Sequence, residues 1–404
     1  MKNPEYYENP YLSFWQDEVV SCELVNEKYV VILKNSNFYP TGGGQDNDLG
    51  WIGSSKVENV EKNTDSNQIL HDVTEPCRPG LVECKLDVAR RLSNMQHHSG
   101  QHILSSIFQK ILNINTLSVK IYADKPSYVD LQTNGLTNEQ IKIVEENTTK
   151  VILNGTPIHS YLSPKTELKD VYTRADLDMF DEIVRVVDIQ GIVASLCCGT
   201  HCLKTSEIMA LKIVKTEKVK NHLRVYFVCG TQYQNYVSQN IEIVKELTKK
   251  LNTSTDNLLP IFEKINTENI QKTKEISVLK NQLLQYYTEE ILLKKKLINQ
   301  IEFVFEKHEL IGINDLRNAS FFLQKSNLSM GVLYTNDQEK LSLLVFSNDE
   351  KRFDANQILQ KLLEGKNGKG GGNLKVSQGN CEYKEMYVEN MKENFEKYVK
   401  ELIN

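Results

Sequence analysis

Two short motifs about a hundred residues apart, HHSGQH at 97–102 and CCGTHC at 197–202, constrain this chain more than anything else in it. The first sets His98 and His102 four residues apart. On an α-helix that spacing puts both imidazoles on one face, one turn apart, where they can grip one ion. The second sets Cys197 and His201 with three residues between them. Together they offer His, His, Cys and His, a nitrogen-and-thiolate set suited to one tetrahedral Zn2+ per chain. A lone HxxxH is more often a surface pair, and His97 shows how easily a histidine stands beside such a motif without belonging to it. The pairing of two motifs with clustered cysteines is much more specific.

Donor types alone leave two roles open. Four protein ligands favour a closed, structural zinc, because catalytic zinc usually keeps three and leaves a position for water or substrate. Against that, no small finger-like unit here needs a metal staple. The eight cysteines, at 22, 77, 84, 197, 198, 202, 229 and 381, are not expected to form a disulfide framework in a cytosolic chain of this size. The N-terminal stretch MKNPEYYENPYLSFWQDEVV lacks an apolar core and carries acids, which argues against a secretory signal. No apolar run approaches the roughly 20 residues of a membrane span. The expected location is the cytoplasm, with no membrane partner.

With 404 residues, the chain has room for two or three domains. Residues 18–34 read as two valine-rich strands, VVSCELV and KYVVILK, broken at NE. Strand-like pieces continue past the glycine-rich stretch FYPTGGGQDNDLGWI, so residues 1–88 form a small β-domain, expected to be barrel-like. Residues 91–112 carry apolar side chains at helical spacing, as does EQIKIVEENTTKVILNG, where Gly155 is a plausible stop. RVVDI, EIMALKIVKTEKV and LRVYFVCG read as strands, making 89–230 an α+β domain. From Gln234 to about Leu297 glycine is absent and apolar residues recur at three- and four-residue steps. That predicts a helical or coiled-coil arm over 231–300, divided at Pro260. Residues 301–404 form an α/β unit, with FFLQKS, GVLYTN and LSLLVFS as strands and ANQILQKLLEG and ENMKENFEKYVKELIN as helices. The whole is an α+β, multidomain protein.

A net charge of −5 counts against a nucleic-acid partner, but binding depends on a local basic face rather than the sum. Lys294-Lys295-Lys296 and the set Lys366, Lys369 and Lys375 are the local candidates, and solvated lysines are the plainer explanation of either.

HHSGQH followed by ILS, and CCGTHC followed by LKTSEI, resemble the editing domain of alanyl-tRNA synthetases and their free-standing relatives, the AlaX family. FYPTGGGQ at 38–45, followed by Asp48, Gly50 and Ile52, is similar to that family's N-terminal editing motif. RVVDIQG, LKIVK and the helical arm follow in the family's order, and GKGGGNLKVSQG at 368–379 resembles the glycine-rich signature of a DHHA1-type domain. The resemblance implies a zinc-dependent hydrolase that cleaves serine or glycine wrongly attached to alanine tRNA, a second sieve behind a synthetase pocket that cannot exclude smaller amino acids by binding alone. It makes His98, His102, Cys197 and His201 the zinc ligands. It places Thr41 and Gln45 in the reaction, Thr41 sensing a serine hydroxyl and Gln45 donating to the ester carbonyl or ribose. Gly42, Gly43 and Gly44 would let backbone approach the substrate. Zinc there could polarise the ester carbonyl, activate water or anchor the amino group. Apart from the resemblance, the backbone amides and lysine side chains of Lys369, Gly370, Gly371, Gly372 and Lys375 could contact tRNA phosphates, and the apolar stripe of the arm could pair within the chain or, with the C-terminal domain, make a homodimer.

The chain departs from the pattern in places. Gly191 through Leu196 contains no acid where relatives usually carry one, Ser206 and Met209 replace glycine, and Ser377 and Asn380 interrupt the last motif. The upstream change bears on substrate preference. No Asp-His-His tripeptide or phosphate-binding loop is present, so phosphoesterase and ATP-dependent activation chemistry are not expected. The competing class is a non-catalytic, zinc-stabilised tRNA-binding protein.

Overall fold

The computed structural model describes residues 4–168, 171–173, 181–298, 300–308, 313–336 and 339–401. It divides into two compact units, Met1–Thr255 and Asp256–Asn404.

The first unit opens with a short helix, α1 (Glu5–Glu8), and six strands: β1 (Phe14–Val25), β2 (Lys28–Leu33), β3 (Gly50–Ile52), β4 (Ser55–Lys62), β5 (Ile69–Val73) and β6 (Gly80–Leu86). They close into a barrel in the order β1-β2-β5-β4-β3-β6. The break at NE is a two-residue hairpin turn in which Asn26 and Glu27 both take positive φ, 49° and 66°, the twist that suits a two-residue connection. Alternating Val19, Val31, Val57, Val60, Cys84 and Leu86 fill the interior.

Helix α2 (Val88–Leu112) is capped by the Asp87 side chain, which accepts from the Arg90 backbone, and ends at Asn113 in the left-handed conformation. Every residue from Ser93 to Leu104 is buried, although many are polar, so the middle of this helix is wrapped on all sides. Around it lie β7 (Thr116–Lys120), β8 (Ser127–Leu131), α3 (Asn138–Leu153), β9 (Ile158–Pro164), β10 (Val171–Tyr172), β11 (Ile183–Ile189), β12 (Val193–Leu196), β13 (Leu211–Val219) and β14 (His222–Cys229). Two sheets form, β10-β12-β11-β9 and β13-β14-β8-β7. The stretch expected as one strand from Glu207 is shorter: Thr205–Ile208 is a 3-10 turn, Met209 takes φ 67°, and pairing starts at Leu211.

Helix α4 (Gly230–Leu251) closes this unit, and α5 (Leu258–Leu293) begins the second. The division of the arm therefore falls at Asn252–Asn257, not at Pro260. Asn252 ends α4 with φ 47°, and Pro260 sits in the first turn of α5, where its missing N–H costs nothing. In α5 only Leu284, Thr288 and Ile291 are buried. The second unit continues with β15 (Lys296–Ile298), β16 (Ile301–Lys307), α6 (Ile313–Leu323), β17 (Met330–Asn336), β18 (Lys340–Ser347), α7 (Ala355–Leu363), β19 (Lys369–Gly372), β20 (Val376–Glu382) and α8 (Glu385–Glu401). The strands make one sheet, β15-β16-β17-β18-β20-β19. One face meets α7 and α8 through Phe303, Phe395 and Leu359, and the other meets α5 and α6 through Phe346, Leu284 and Leu323. FFLQKS is not a strand: Phe321–Leu323 ends α6, whose one apolar face, Ala319 and Leu323, packs on Leu344 and Phe346 of β18 while Phe321 stays exposed.

Candidate metal centre

The two motifs converge. His98 and His102 stand one turn apart on α2, and Cys197 and His201 lie on the loop that leaves β12. Their donor atoms all fall within 4.8 Å of one another, and all four residues are buried. Cys197 Sγ is 3.3 Å from His98 Nε2 and 3.2 Å from His201 Nε2. The three rings crowd around the point of convergence, tilted or edge-on to one another, at 4.5 to 5.3 Å between centroids.

Each imidazole is held by its other nitrogen. His98 Nδ1 is 2.7 Å from Gln45 Oε1, His102 Nδ1 is 2.7 Å from Ser195 Oγ, and His201 Nδ1 is 3.2 Å from Ser99 Oγ. An amide oxygen only accepts, so His98 donates from Nδ1 and its bare Nε2 faces the thiol. That is the arrangement in which outer partners orient metal-binding histidines. Burial, with lesser repulsion from His98, His102 and Arg185, holds His201 well below the usual imidazole range and so in the neutral form. The donor set fits a divalent ion that accepts nitrogen and thiolate ligands.

The glycine-rich loop supports the centre from the barrel side. Gln45 is fully buried. Its Nε2 donates to Thr200 Oγ1 at 2.9 Å, and its Oε1 accepts from the Thr200 backbone at 3.0 Å as well as from His98. Gly44, at φ 84°, lies so close to β7 that a Cβ would come within 2.7 Å of the Val119 carbonyl. Gly199 passes so near His98 that a Cβ would sit 2.0 Å from its ring. Gly43 and Gly44 line a cleft of about 480 Å³ with Val119, Arg185, Cys197 and Cys198. A second cleft, about 210 Å³, reaches the centre from the other side past His102, Ser195, Gln101 and Thr116. Thr41 is exposed, with its hydroxyl 3.3 Å from Asn47 Oδ1, and does not line either cleft.

Three consecutive carbonyls of the loop carrying Cys197 and His201 are pinned by Arg185, which opens the RVVDIQG segment without a role implied for it there, and by Tyr7, which lies in no motif. Arg185 donates to Cys197 O and Gly199 O, both at 2.9 Å, and the Tyr7 hydroxyl donates to Cys198 O at 2.6 Å. The guanidinium lies over the Tyr7 ring at 3.9 Å. Ser99, Ser195 and Thr200 lay within or two residues from the motifs, and the need for a partner on each Nδ1 is the signal that could have found them. His97 takes no part. Its Nδ1 meets Ser93 O at 2.7 Å, its Nε2 accepts from Cys229 N at 3.0 Å, and burial holds it at about 4, a satisfied core histidine.

In the second unit, Lys369–Gly372 forms an exposed edge strand and Lys375 pairs with Glu350 at 3.1 Å. Among the described residues, none of the eight cysteines is in a disulfide and no helix is long and apolar enough to cross a membrane.

The four donors thus form one buried three-histidine, one-cysteine centre, braced by the glycine-rich loop through Gln45. The family described as the threonyl and alanyl tRNA synthetase second additional domain matches residues 184–226. The alanyl-tRNA editing protein AlaX-L of Pyrococcus horikoshii is 27% identical over 94% of this chain and 94% of its own length. The alanyl-tRNA editing protein Aarsd1-A of Xenopus laevis is 31% identical over 61% of this chain and 63% of its own. An alanine–tRNA ligase of Methanococcus aeolicus is 27% identical over 93% of this chain, which spans only 41% of that longer protein. Over nearly its whole length the chain is thus similar to an alanyl-tRNA editing protein.

Proposed function

We propose that this protein is a zinc-dependent aminoacyl-tRNA hydrolase that deacylates alanine tRNA mischarged with serine or glycine. The carrying observation is the donor set: four buried ligand atoms within 4.8 Å, at the meeting of two solvent clefts. His98, His102, Cys197 and His201 would hold the ion, and zinc in that place supplies Lewis acidity toward an ester. The chain's own residues do the rest. Gly43 and Gly44 let the terminal nucleoside approach the backbone, Gln45 and Thr200 fix His98, and Tyr7 with Arg185 fixes the loop of Cys197 and His201. Thr41, Gly42 and Gln45 belong to the same motif, and Gln45 acts by positioning, since its amide is already engaged on both sides.

The reading extends to the rest of the chain as follows. Residues 1–88 and 89–230 form the editing module, 231–300 the arm and 301–404 a DHHA1-like domain. Lys369, Gly370, Gly371, Gly372 and Lys375 offer backbone amides and charge to tRNA phosphates. Two copies pair through the arm, whose exposed Phe262 and Ile276 lack intrachain cover, and the protein works in the cytoplasm.

The test is ester loss from Ser-, Gly- and Ala-tRNA-Ala with protein prepared without chelators, alongside elemental analysis. Loss of the serine or glycine ester with alanine spared, and one zinc per chain, is expected. Intact esters would overturn the hydrolase. One observation favours a second reading: four protein donors close a tetrahedral shell, as in structural zinc sites. That reading expects zinc and tRNA binding with no ester lost.

A further inference from the structure

The sheet β13-β14-β8-β7 buries one face on α2 and turns the other to solvent. Val129, Leu131, Leu223, Val225 and Phe227 point inward. The outward positions that alternate with them carry an unusual set. Tyr226 pairs across the strands with both Tyr128 and Lys215, and Arg224 pairs with Asp130. Tyr122 lies two residues beyond the end of β7, and its ring centre is 6.3 Å from that of Tyr128, which in turn is 5.7 Å from that of Tyr226. Each ring has its own cation. Lys125 is 4.1 Å from the centre of Tyr122, Arg224 is 3.8 Å from Tyr128 and Lys215 is 5.2 Å from Tyr226. These six side chains line an open cavity of about 450 Å³.

We propose that this face is a stacking platform for the single-stranded 3′ end of an RNA. The inference rests on the editing reading for its partner, but not for its residues. Planar rings in a row, each with a cation, are the surface on which successive unstacked bases lie while the charges follow the backbone. The acids nearby are already engaged. Arg224 holds Asp130 at 2.7 Å, Lys215 holds Glu217 at 2.9 Å and Lys120 holds Asp46 at 3.7 Å. Asp124 is the exposed exception. The charges balance, Lys120, Lys125, Lys215 and Arg224 against Asp46, Asp124, Asp130 and Glu217, so base stacking rather than net charge supplies most of its affinity.

The platform is continuous with the metal centre. On β7, Ser118 pairs with Asp130 and Lys120 with Tyr128, so both share the outward face. Ser118 is also part of the wall of the cleft that holds Cys197, Gly43 and Gly44. One strand thus runs from the tyrosines to the metal cleft. A 3′-terminal nucleotide in that cleft would lay the nucleotides before it across Tyr122, Tyr128 and Tyr226.

The test uses the full-length zinc protein and two uncharged, fluorescently labelled hairpin RNAs, one with a short single-stranded 3′ tail and one blunt. In Tyr122→Leu/Tyr226→Leu the rings go but apolar packing stays. Affinity for the tailed RNA should fall by about tenfold or more, and the preference for the tail should disappear. In Lys125→Gln/Lys215→Gln the log–log salt slope should flatten by about 0.7 per lost contact. Lys28→Gln/Lys34→Gln on the barrel removes equal charge and should leave the tail preference as it was. Zinc content and melting temperature, read on the same samples, separate misfolding from lost binding, and if the leucine variant does not fold the lysine variant decides. Wild-type affinity, tail preference and salt slope in the folded variants would overturn the platform. Ester cleavage by a wild type whose variants bind normally would leave the editing reading standing. Tail binding through the platform without any ester loss would do the reverse.

Discussion

Gln45 accepts from His98, accepts from the Thr200 backbone and donates to the Thr200 hydroxyl, all in a fully buried position. Removing such an outer partner typically costs 10- to 100-fold in metal affinity. Gln45→Ala should therefore lose zinc to a competing chelator at about that much lower chelator concentration. Unchanged zinc affinity with slower ester hydrolysis would instead put the amide on the substrate. His71 gives a pH dependence. Inside the barrel its Nε2 meets Ser36 Oγ at 2.8 Å and its Nδ1 meets Val31 O at 2.9 Å, and burial holds it down at about 4. Between about 4 and the ordinary 6.5 the unfolded chain takes up a proton that the folded one refuses. Stability present above pH 6.5 is thus lost as pH falls, on the order of 2 kcal/mol by pH 5. Both tryptophans, Trp15 and Trp51, lie on barrel strands, so their fluorescence reports this unfolding. The pH 7 to pH 5 loss should shrink in His71→Gln, and an equal loss in both proteins would exclude His71 as its source. At this scale the cluster of four donors was legible because helical spacing and donor chemistry are local. Tyr7 and Arg185 were not, since what they bind is backbone brought to them by the fold.

Between elements, the joint that matters most is a buried ion pair. Arg91 on α2 meets Asp48 at 2.9 Å through Nε and 2.5 Å through a terminal nitrogen, and also donates to Pro10 O and Asn37 O. Asp48 accepts from the Tyr39 backbone at 2.7 Å as well. The pair ties the loop carrying Gln45 to the helix carrying His98, and neither side chain is more than 4% exposed. Breaking a pair of this kind leaves an uncompensated charge and costs about 3–5 kcal/mol. Arg91→Leu should lower the urea midpoint of the barrel accordingly, and Asp48→Asn in the same chain should recover part of it. A loss under about 1 kcal/mol would mean that water reaches the site. The hairpin at Asn26–Glu27 and the α2 and α3 helices were legible from turn chemistry and periodicity. FFLQKS was not, because a short apolar run reads equally as strand or buried helix end, and only packing against β18 decides.

At the scale of the chain, the donor set and the longer half of the apolar arm, α5, fall in different units. The donor set lies within Met1–Thr255, which has its own cores around Phe108 and around Val31. Asp256–Asn404 has separate cores around Phe303 and Phe346. Its one histidine, His308, and one cysteine, Cys381, are too few for a second centre of the same type. The order of motifs made this separation legible, but its position at Thr255 was not. Helix α4 continues the apolar spacing of the arm, so periodicity alone has no reason to stop before it. A chain ending at Thr255 should thus keep one zinc and hydrolyse ester while requiring more tRNA to do so. If Lys369 and Lys375 contact duplex phosphates, the full chain's log–log salt slope should be steeper by about 0.9 for each contact. Light scattering should find the shortened protein monomeric and the full chain paired, since α5 leaves Phe262 and Ile276 exposed. If the shortened protein bound and deacylated tRNA as well as the full chain at physiological salt, the second unit would have no part in substrate capture.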